Sequence, residues 1–386
     1  MFFLPGISVV EYSDPWALPV AARLERVKNG RPRVAYVYDA PDNSTFRYRV
    51  YNMLQALEAR PEIGASFFTG AELEVVAGII DELDVLVVVR FRYSQGLNHL
   101  ITLARQRGKR VLFDTDDLVY DVDYTHLILN TLDQALEPAT WDSWFAYIGR
   151  MGATLKLCDE AITTNPFLAE RISAFSGKPA HVIPNFMNRE QLAVSEAIYR
   201  VKRAQRFARS PQLHVGYFSG TPTHNLDLAL AADAIARLLE RRPEVVLRIV
   251  GYMELRGRLQ TVKSRIEYIP FQDFVNLQRL VGEVELNLMP LQNNVFTRCK
   301  SELKYFEAGI VGTISVASAV GTYADSIRDG ENGFLASDFE WDDKLEASLA
   351  QLGHYAEMAE RAHADCQARY TWRQQVDQIA DVLFPR

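Results

Sequence analysis

Cysteine is scarce in this chain. Only Cys158, Cys299 and Cys366 occur among 386 residues, far apart in sequence. They form neither a zinc-ligand spacing nor a disulfide framework, which fits a reducing compartment. Long apolar runs are also missing. The longest, around Leu83–Val89, stops at Arg90, well short of the roughly 20 residues a membrane-crossing helix needs. The opening residues, MFFLPGISVVEYSDPW, have no basic stretch ahead of the apolar one and meet Pro5, Gly6 and Glu11 early. That is not the pattern of a secretory leader. A cytoplasmic location is therefore expected, with peripheral contact at the inner face of a membrane as an open option. Nor is there an excess of base. Lys and Arg number 42 against 49 Asp and Glu, a net charge of -7, which argues against a general nucleic-acid binder.

What is present is an ordinary globular balance, with 48% apolar and 24% charged residues. A single core stops growing at roughly 250–300 residues, so 386 residues predict two domains. Short β-branched runs alternate with helix-like stretches. Arg33–Tyr38, Asp84–Arg90, Arg110–Asp114, Ala161–Asn165 and His181–Asn185 read as strands in the first half, with helices over Tyr48–Arg60 and Gln95–Arg107. The pattern restarts at Leu213–Gly220 and continues through Val245–Gly251, Ile266–Pro270, Val284–Pro290 and Ile314–Ser318, with a helix over Lys300–Ala308. Strands buried on both faces and alternating with helices predict parallel sheets. Two open α/β domains follow, joined near residues 188–212. The join contains Tyr199–Arg209, with Arg200, Lys202, Arg203, Arg206 and Arg209 and no acid. It reads as a solvated linker helix, or as a face attracted to anionic lipid.

Open parallel sheets bind ligands beyond the carboxyl ends of their strands, so motifs directly after strands carry the chemistry. DAPDNSTFRYR (Asp39–Arg49) offers Ser44 and Thr45 as helix caps, and Arg47 and Arg49 as partners for a phosphate or acidic acceptor. FDTDDLVYD (Phe113–Asp121) crowds Asp114, Asp116 and Asp117 at a strand end, where they can hold a divalent ion or accept from sugar hydroxyls. His126 follows closely and is a candidate for the same cleft. GYFSGTPTHN (Gly216–Asn225) is a small-residue loop before a helix, in which backbone N–H groups near Gly220 and Thr221 can approach a phosphate. It has neither the G-x-G-x-x-G spacing nor the Gly-Lys-Ser/Thr of a Walker loop. Finally, TRCKSELKYFEAGIVGTISVAS (Thr297–Ser318) spaces Lys300, Lys304 and Glu307 for one helix face. Two cations there can meet a diphosphate, and the carboxylate can accept two ribose hydroxyls.

KYFEAGIVGTISVAS followed by DGENGFL (Asp329–Leu335), VIPNF (Val182–Phe186) and the closing YTWRQQVDQIADVLF together resemble the GT-B glycosyltransferases of the retaining family 4 (group 1) type, in a divergent branch. The resemblance implies two Rossmann-like domains facing a cleft. The acceptor-side domain would span residues 1–188, joined by a crossing helix in 370–386. The nucleotide-sugar-binding domain would span 189–369. It implies transfer of a sugar from a nucleoside diphosphate sugar to a glycan or lipid-linked acceptor, with retention, without metal or other cofactor, in bacterial-type cell-surface polysaccharide synthesis. Glu307 would hold the ribose, Lys300, Lys304, Gly220 and Thr221 the phosphates, and Asp116 and Asp117 would lie near the transferred sugar, with Asp116, Asp117 and Lys304 as the catalytic residues. Arg47, Arg49 and His126 remain the acceptor candidates. The sequence departs from the family at Cys299, where a glutamate is usual, and lacks the usual Arg and Lys after Gly216–Gly220. Other readings stay open: a metal-dependent GT-A-like transferase using Asp114 and Asp116, a nucleotide-sugar epimerase, and an inactive carbohydrate-binding homologue.

Overall fold

The computed structural model describes residues 1–385, the side chain of Pro222 excepted. Twelve strands form two six-stranded parallel sheets. The first holds β1 (Arg33–Tyr38), β2 (Gly64–Thr69), β3 (Val85–Val89), β4 (Arg110–Asp114), β5 (Glu160–Thr163) and β6 (Ala180–Val182), in the order β2-β1-β3-β4-β5-β6. The second holds β7 (Leu213–Ser219), β8 (Val245–Gly251), β9 (Ile266–Ile269), β10 (Leu286–Met289), β11 (Ile314–Ser318) and β12 (Phe334–Ala336), in the order β12-β11-β10-β7-β8-β9. Every residue of β3 and of β8 is buried, as expected where helices cover both faces of a parallel sheet. In the first sheet the strand order reverses between β1 and β3. In the second it reverses between β7 and β10. Crevices open outside the carboxyl ends of strands at such points, and here the two crevices face one another.

The helix expected over Lys300–Ala308 is broken. Val295–Arg298 and Leu303–Gly309 are helical, and Cys299–Glu302 link them. A continuous helix would use the Cys299 and Lys300 carbonyls internally. Instead the Cys299 carbonyl accepts from Asn165 Nδ2 (2.8 Å) and the Lys300 carbonyl from Thr322 Oγ1 (2.9 Å). Lys300 therefore does not share a helix face with Lys304 and Glu307. The helix after β1 begins with a wide turn over Arg47–Tyr51 and continues over Asn52–Leu57. Its start is held by Asp42 Oδ1, which accepts from the Ser44 and Phe46 amides, and not by Ser44 or Thr45 as expected.

Some of the chain crosses between domains. The Phe2 amide donates to the Glu283 carbonyl (2.8 Å), and the Phe2 ring packs on Phe207 and Tyr355 in the second core. The expected span 1–188 for the first domain thus includes residues that pack on the second. At the other end, helix Trp372–Leu383 buries Ile379 and Leu383 with Val50, Met53 and Leu57 of the first domain. The Leu383 carbonyl accepts from Arg110 (2.7 Å). Between the domains runs helix Arg189–Ala204. Its basic segment is not one solvated face. Lys202 is buried, donating to the Gly312 carbonyl (2.9 Å) and Thr313 Oγ1 (3.1 Å). Arg203 pairs with Glu360, and the Arg209 guanidinium lies over the Tyr355 ring. All three cysteines are buried and free. Among the described residues no helix is long and apolar enough to cross a membrane.

Candidate active site

The facing crevices enclose a cavity of about 430 Å³. The first domain lines it with Asn43–Thr45, Arg47, Tyr48, Asp116, Asp117 and Asn185. The second contributes Phe218–Thr221, His224, Asp227, Phe271, Lys300, Lys304, Glu307 and Tyr323, among others.

Glu307 bridges the domains. Its Oε1 accepts from Tyr48 Oη (2.6 Å) and from Gln191 Nε2 (3.0 Å), and Arg47 stands 3.6 Å away. Burial pushes the Tyr48 hydroxyl well up, so it stays protonated and donates. Arg47 also donates to Gln191 Oε1 (3.3 Å). One carboxylate oxygen is therefore already engaged by the first domain. Glu307 Oε2 has no hydrogen-bond partner among the described residues, which leaves one oxygen, not two, for a ligand hydroxyl.

The three crowded aspartates do not act together. Asp114 is fully buried and takes a bidentate pair of bonds from Arg49 (2.8 and 3.0 Å). Burial pushes the Asp114 carboxyl up to about 6 while the guanidinium pulls it down, so it is ionised at neutral pH. Asp116 accepts from Arg90 (2.9 Å) and Thr45 Oγ1 (3.1 Å). Burial raises its carboxyl, but Arg90 outweighs that and holds it below the usual carboxylate range. Asp117 faces Lys300 across the cleft at 3.5 Å. Each carboxylate thus has its own cation, and Asp114 lies outside the cavity lining.

Two expected acceptor residues are corrected by the same geometry. Arg49 is wholly committed to Asp114, the Ile183 carbonyl (2.8 Å) and Asn185 Oδ1 (3.2 Å), and does not reach the cavity. His126 is exposed on helix Thr125–Thr131, away from the cavity lining. Arg47 does line the cavity, but its guanidinium is spent on Asn43, Gln191 and the Tyr48 ring.

On the second domain, Gly220 and Thr221 stand between β7 and helix Asn225–Arg241. A Cβ on Gly220 would meet no protein atom within 4 Å, so the space beside it is free for a ligand. Lys304 lies near the Tyr217 ring, 5.1 Å from its centre. Its ammonium has no hydrogen bond or ion pair among the described residues. Burial lowers its pKa, the expected result of an unneutralised charge beside the cavity.

Several residues of the site escaped the sequence reading. His224 sits at the start of helix Asn225–Arg241, its Nδ1 3.0 Å from Asp227 Oδ2. Asp227 Oδ1 accepts from the Gln292 amide and side chain, both at 3.1 Å. The His-x-x-Asp spacing at a helix start was the available signal. Arg90, which orients Asp116, directly follows a strand but adopts φ 39°, a left-handed conformation that no pattern announces for arginine. The side-chain partners of Gln191, Arg47 and Glu307, lie 144 and 116 positions away in sequence.

Residues 213–354 match the family described as glycosyl transferases, group 1. The match falls within the second domain. No curated protein matches the chain. Among solved structures, Alr3699/HepE of Anabaena, in complex with UDP and glucose, is 15% identical with a TM-score of 0.58 over 91% of this chain and 98% of its own. Sucrose-phosphate synthase of Thermosynechococcus elongatus has the same identity, TM-score and coverage. WaaG, a glycosyltransferase involved in lipopolysaccharide biosynthesis, is 14% identical with a TM-score of 0.57, over 92% of this chain and 100% of its own. At these identities the likeness is one of fold. This glycosyltransferase has the GT-B architecture: two parallel-sheet domains about one cleft.

Proposed function

We propose that this glycosyltransferase moves a sugar from a nucleoside diphosphate sugar, held mainly by the second domain, to a glycan or lipid-linked acceptor on the first. The observation that carries the reading is Lys304, a half-buried ammonium on the cavity wall with no hydrogen bond or ion pair among the described residues, beside an open glycine loop and a long helix N-terminus. That combination suits the diphosphate of a donor. UDP in the complex with the Anabaena protein supports this donor class.

In the reaction the bond from the anomeric carbon to the diphosphate oxygen breaks and the bond to the acceptor oxygen forms. The acceptor's proton passes to the departing diphosphate, on the same face, so configuration is retained. Lys304 stabilises the charge that grows on the leaving oxygen. Asp116 and Asp117 lie near the sugar and accept from its hydroxyls. No divalent ion is needed, because Asp114, Asp116 and Asp117 each face a different cation. Activity is expected to persist in EDTA; loss there, restored by Mn2+ or Mg2+, would favour the metal-dependent reading. The setting we propose is cytoplasmic, peripheral at the inner membrane face, in cell-surface polysaccharide synthesis. The role of WaaG in lipopolysaccharide formation is consistent with it.

The direct test is incubation with a panel of nucleotide sugars and candidate acceptors. Acceptor-dependent release of free nucleotide supports transfer; interconversion of the sugar alone contradicts it. Glu307→Gln is a second check. Losing a charged hydrogen bond is worth about 1.5–3 kcal/mol, so donor affinity should fall about ten- to a hundredfold. Unchanged affinity in the folded variant would remove Glu307 from the donor site.

A further inference from the structure

His224 is the one imidazole on the cavity wall, and its surroundings are unusual. Nδ1 is fixed by Asp227 at 3.0 Å, and Asp227 is itself held by Gln292. A neutral imidazole in that pairing carries its proton on Nδ1 and presents a bare lone pair at Nε2. Nε2 has no partner among the described residues. Beside a phosphate oxygen such a lone pair repels; with a proton it becomes a charged donor.

The other charges around the ring sharpen the point. Lys304, from helix Leu303–Gly309, and Lys300, from the link before it, line the same cavity and are the cations whose charge acts on His224. Asp227 lies one turn along its own helix, and Tyr217 Oη, from β7, donates to the His224 carbonyl (3.3 Å). Lys300 is shared with Asp117, whereas Lys304 is unshared. An anion seated between His224 and Lys304 would meet two positive groups and the helix N-terminus. Without the anion, burial first, and then the two lysines, lower the imidazole pKa against the pull of Asp227, and the ring is neutral at pH 7.

We propose that His224 is a proton-coupled phosphate ligand: it takes up a proton at Nε2 as the donor diphosphate arrives, donates to a phosphate oxygen, and releases the proton when the nucleotide leaves. The proposal rests on the donor reading given above. Asp227 acts as a positioning residue that keeps Nδ1–H occupied and Nε2 turned to the ligand. Binding is then linked to the uptake of a proton from solvent, and donor affinity weakens as pH rises through the value of the bound imidazole.

The test is calorimetric titration with UDP, and in parallel ADP and GDP, in buffers of different ionisation enthalpy at about pH 8. A terminal phosphate with a pKa near 6 is already deprotonated there. An opposite charge within about 4–6 Å raises a pKa by roughly one to three units. Wild-type protein should therefore take up a measurable fraction of a proton per nucleotide, larger the greater the rise. His224→Gln should bind about ten- to a hundredfold more weakly, with uptake near zero. Asp227→Asn should reduce uptake as well, with circular dichroism confirming the fold. Should a variant fail to fold, NMR of the wild-type imidazoles with and without UDP gives the same answer, since one ring should change to the doubly protonated form. Binding without uptake, or uptake that persists in His224→Gln, overturns the proposal while leaving the donor reading intact. Failure of every nucleoside diphosphate to bind overturns the donor reading, and this proposal with it.

Discussion

Lys304→Ala is expected to lower kcat by about a hundredfold. The diphosphate gains charge as the glycosidic bond breaks, and a helix N-terminus supplies only about half a unit of positive charge. A side-chain cation must provide the remainder. Lys304 is the better candidate of the two cavity lysines because its ammonium has no partner among the described residues, whereas Lys300 stands 3.5 Å from Asp117. Removing a preorganised donor to a developing anion commonly costs about 10²–10³ in kcat. Lys300→Ala should cost less, about tenfold, since 1.36 kcal/mol corresponds to a factor of ten. An interaction that strengthens in the transition state lowers kcat more than it raises donor KM. Steady-state kinetics of the two variants decide the matter. If both keep kcat within about threefold of wild type, less than the tenfold just given, the phosphate site lies elsewhere.

Arg49→Met is expected to be the most destabilising single change in the first domain. Arg49 and Asp114 both have side-chain exposures of 0%, and the guanidinium also ties down the Ile183 carbonyl and Asn185. It therefore joins three segments: the helix after β1, the end of β4, and the strand of chain that leaves β6 for the second domain. Removing one partner of a buried pair leaves the other charge uncompensated, at a cost of about 3–5 kcal/mol. With about 2–4 °C per kcal/mol for a domain of this size, the first domain's melting transition should fall by roughly 10 °C. The double change Arg49→Met/Asp114→Leu should recover much of the loss, because a well-packed apolar pair avoids the desolvation of both charges. Thermal denaturation of the three proteins checks this. A melting point for Arg49→Met within a degree or two of wild type would mean that solvent reaches Asp114 and that the pair is not a fastening of the domain.

The sequence by itself determined the architecture. Valine- and isoleucine-rich runs such as Val85–Val89 and Val245–Val250 are apolar at nearly every position, and only a sheet covered on both faces buries such a strand completely. Their alternation with helices, repeated twice, then leaves two parallel-sheet domains. It also placed the chemistry at strand ends, so Asp116, Asp117, Gly220, Lys300, Lys304 and Glu307 were all legible as residues of one cleft. Local pattern could not tell which of them were already spoken for. Arg49 looked as free as Arg47, and Asp114 as available as Asp116, because a bidentate pair between residues 65 positions apart leaves no trace in either neighbourhood. The break at Cys299–Glu302 has the same origin: a helix-forming stretch is opened by acceptors that bond to Asn165 and Thr322, one in the other domain and one beyond the next strand. Only the tertiary structure decided that Glu307 keeps one oxygen for a ligand, that Lys304 lacks a counter-ion, and that His224 is fixed by Asp227 on the cavity wall. Charge compensation depends on distances in space, and the folded chain alone sets them.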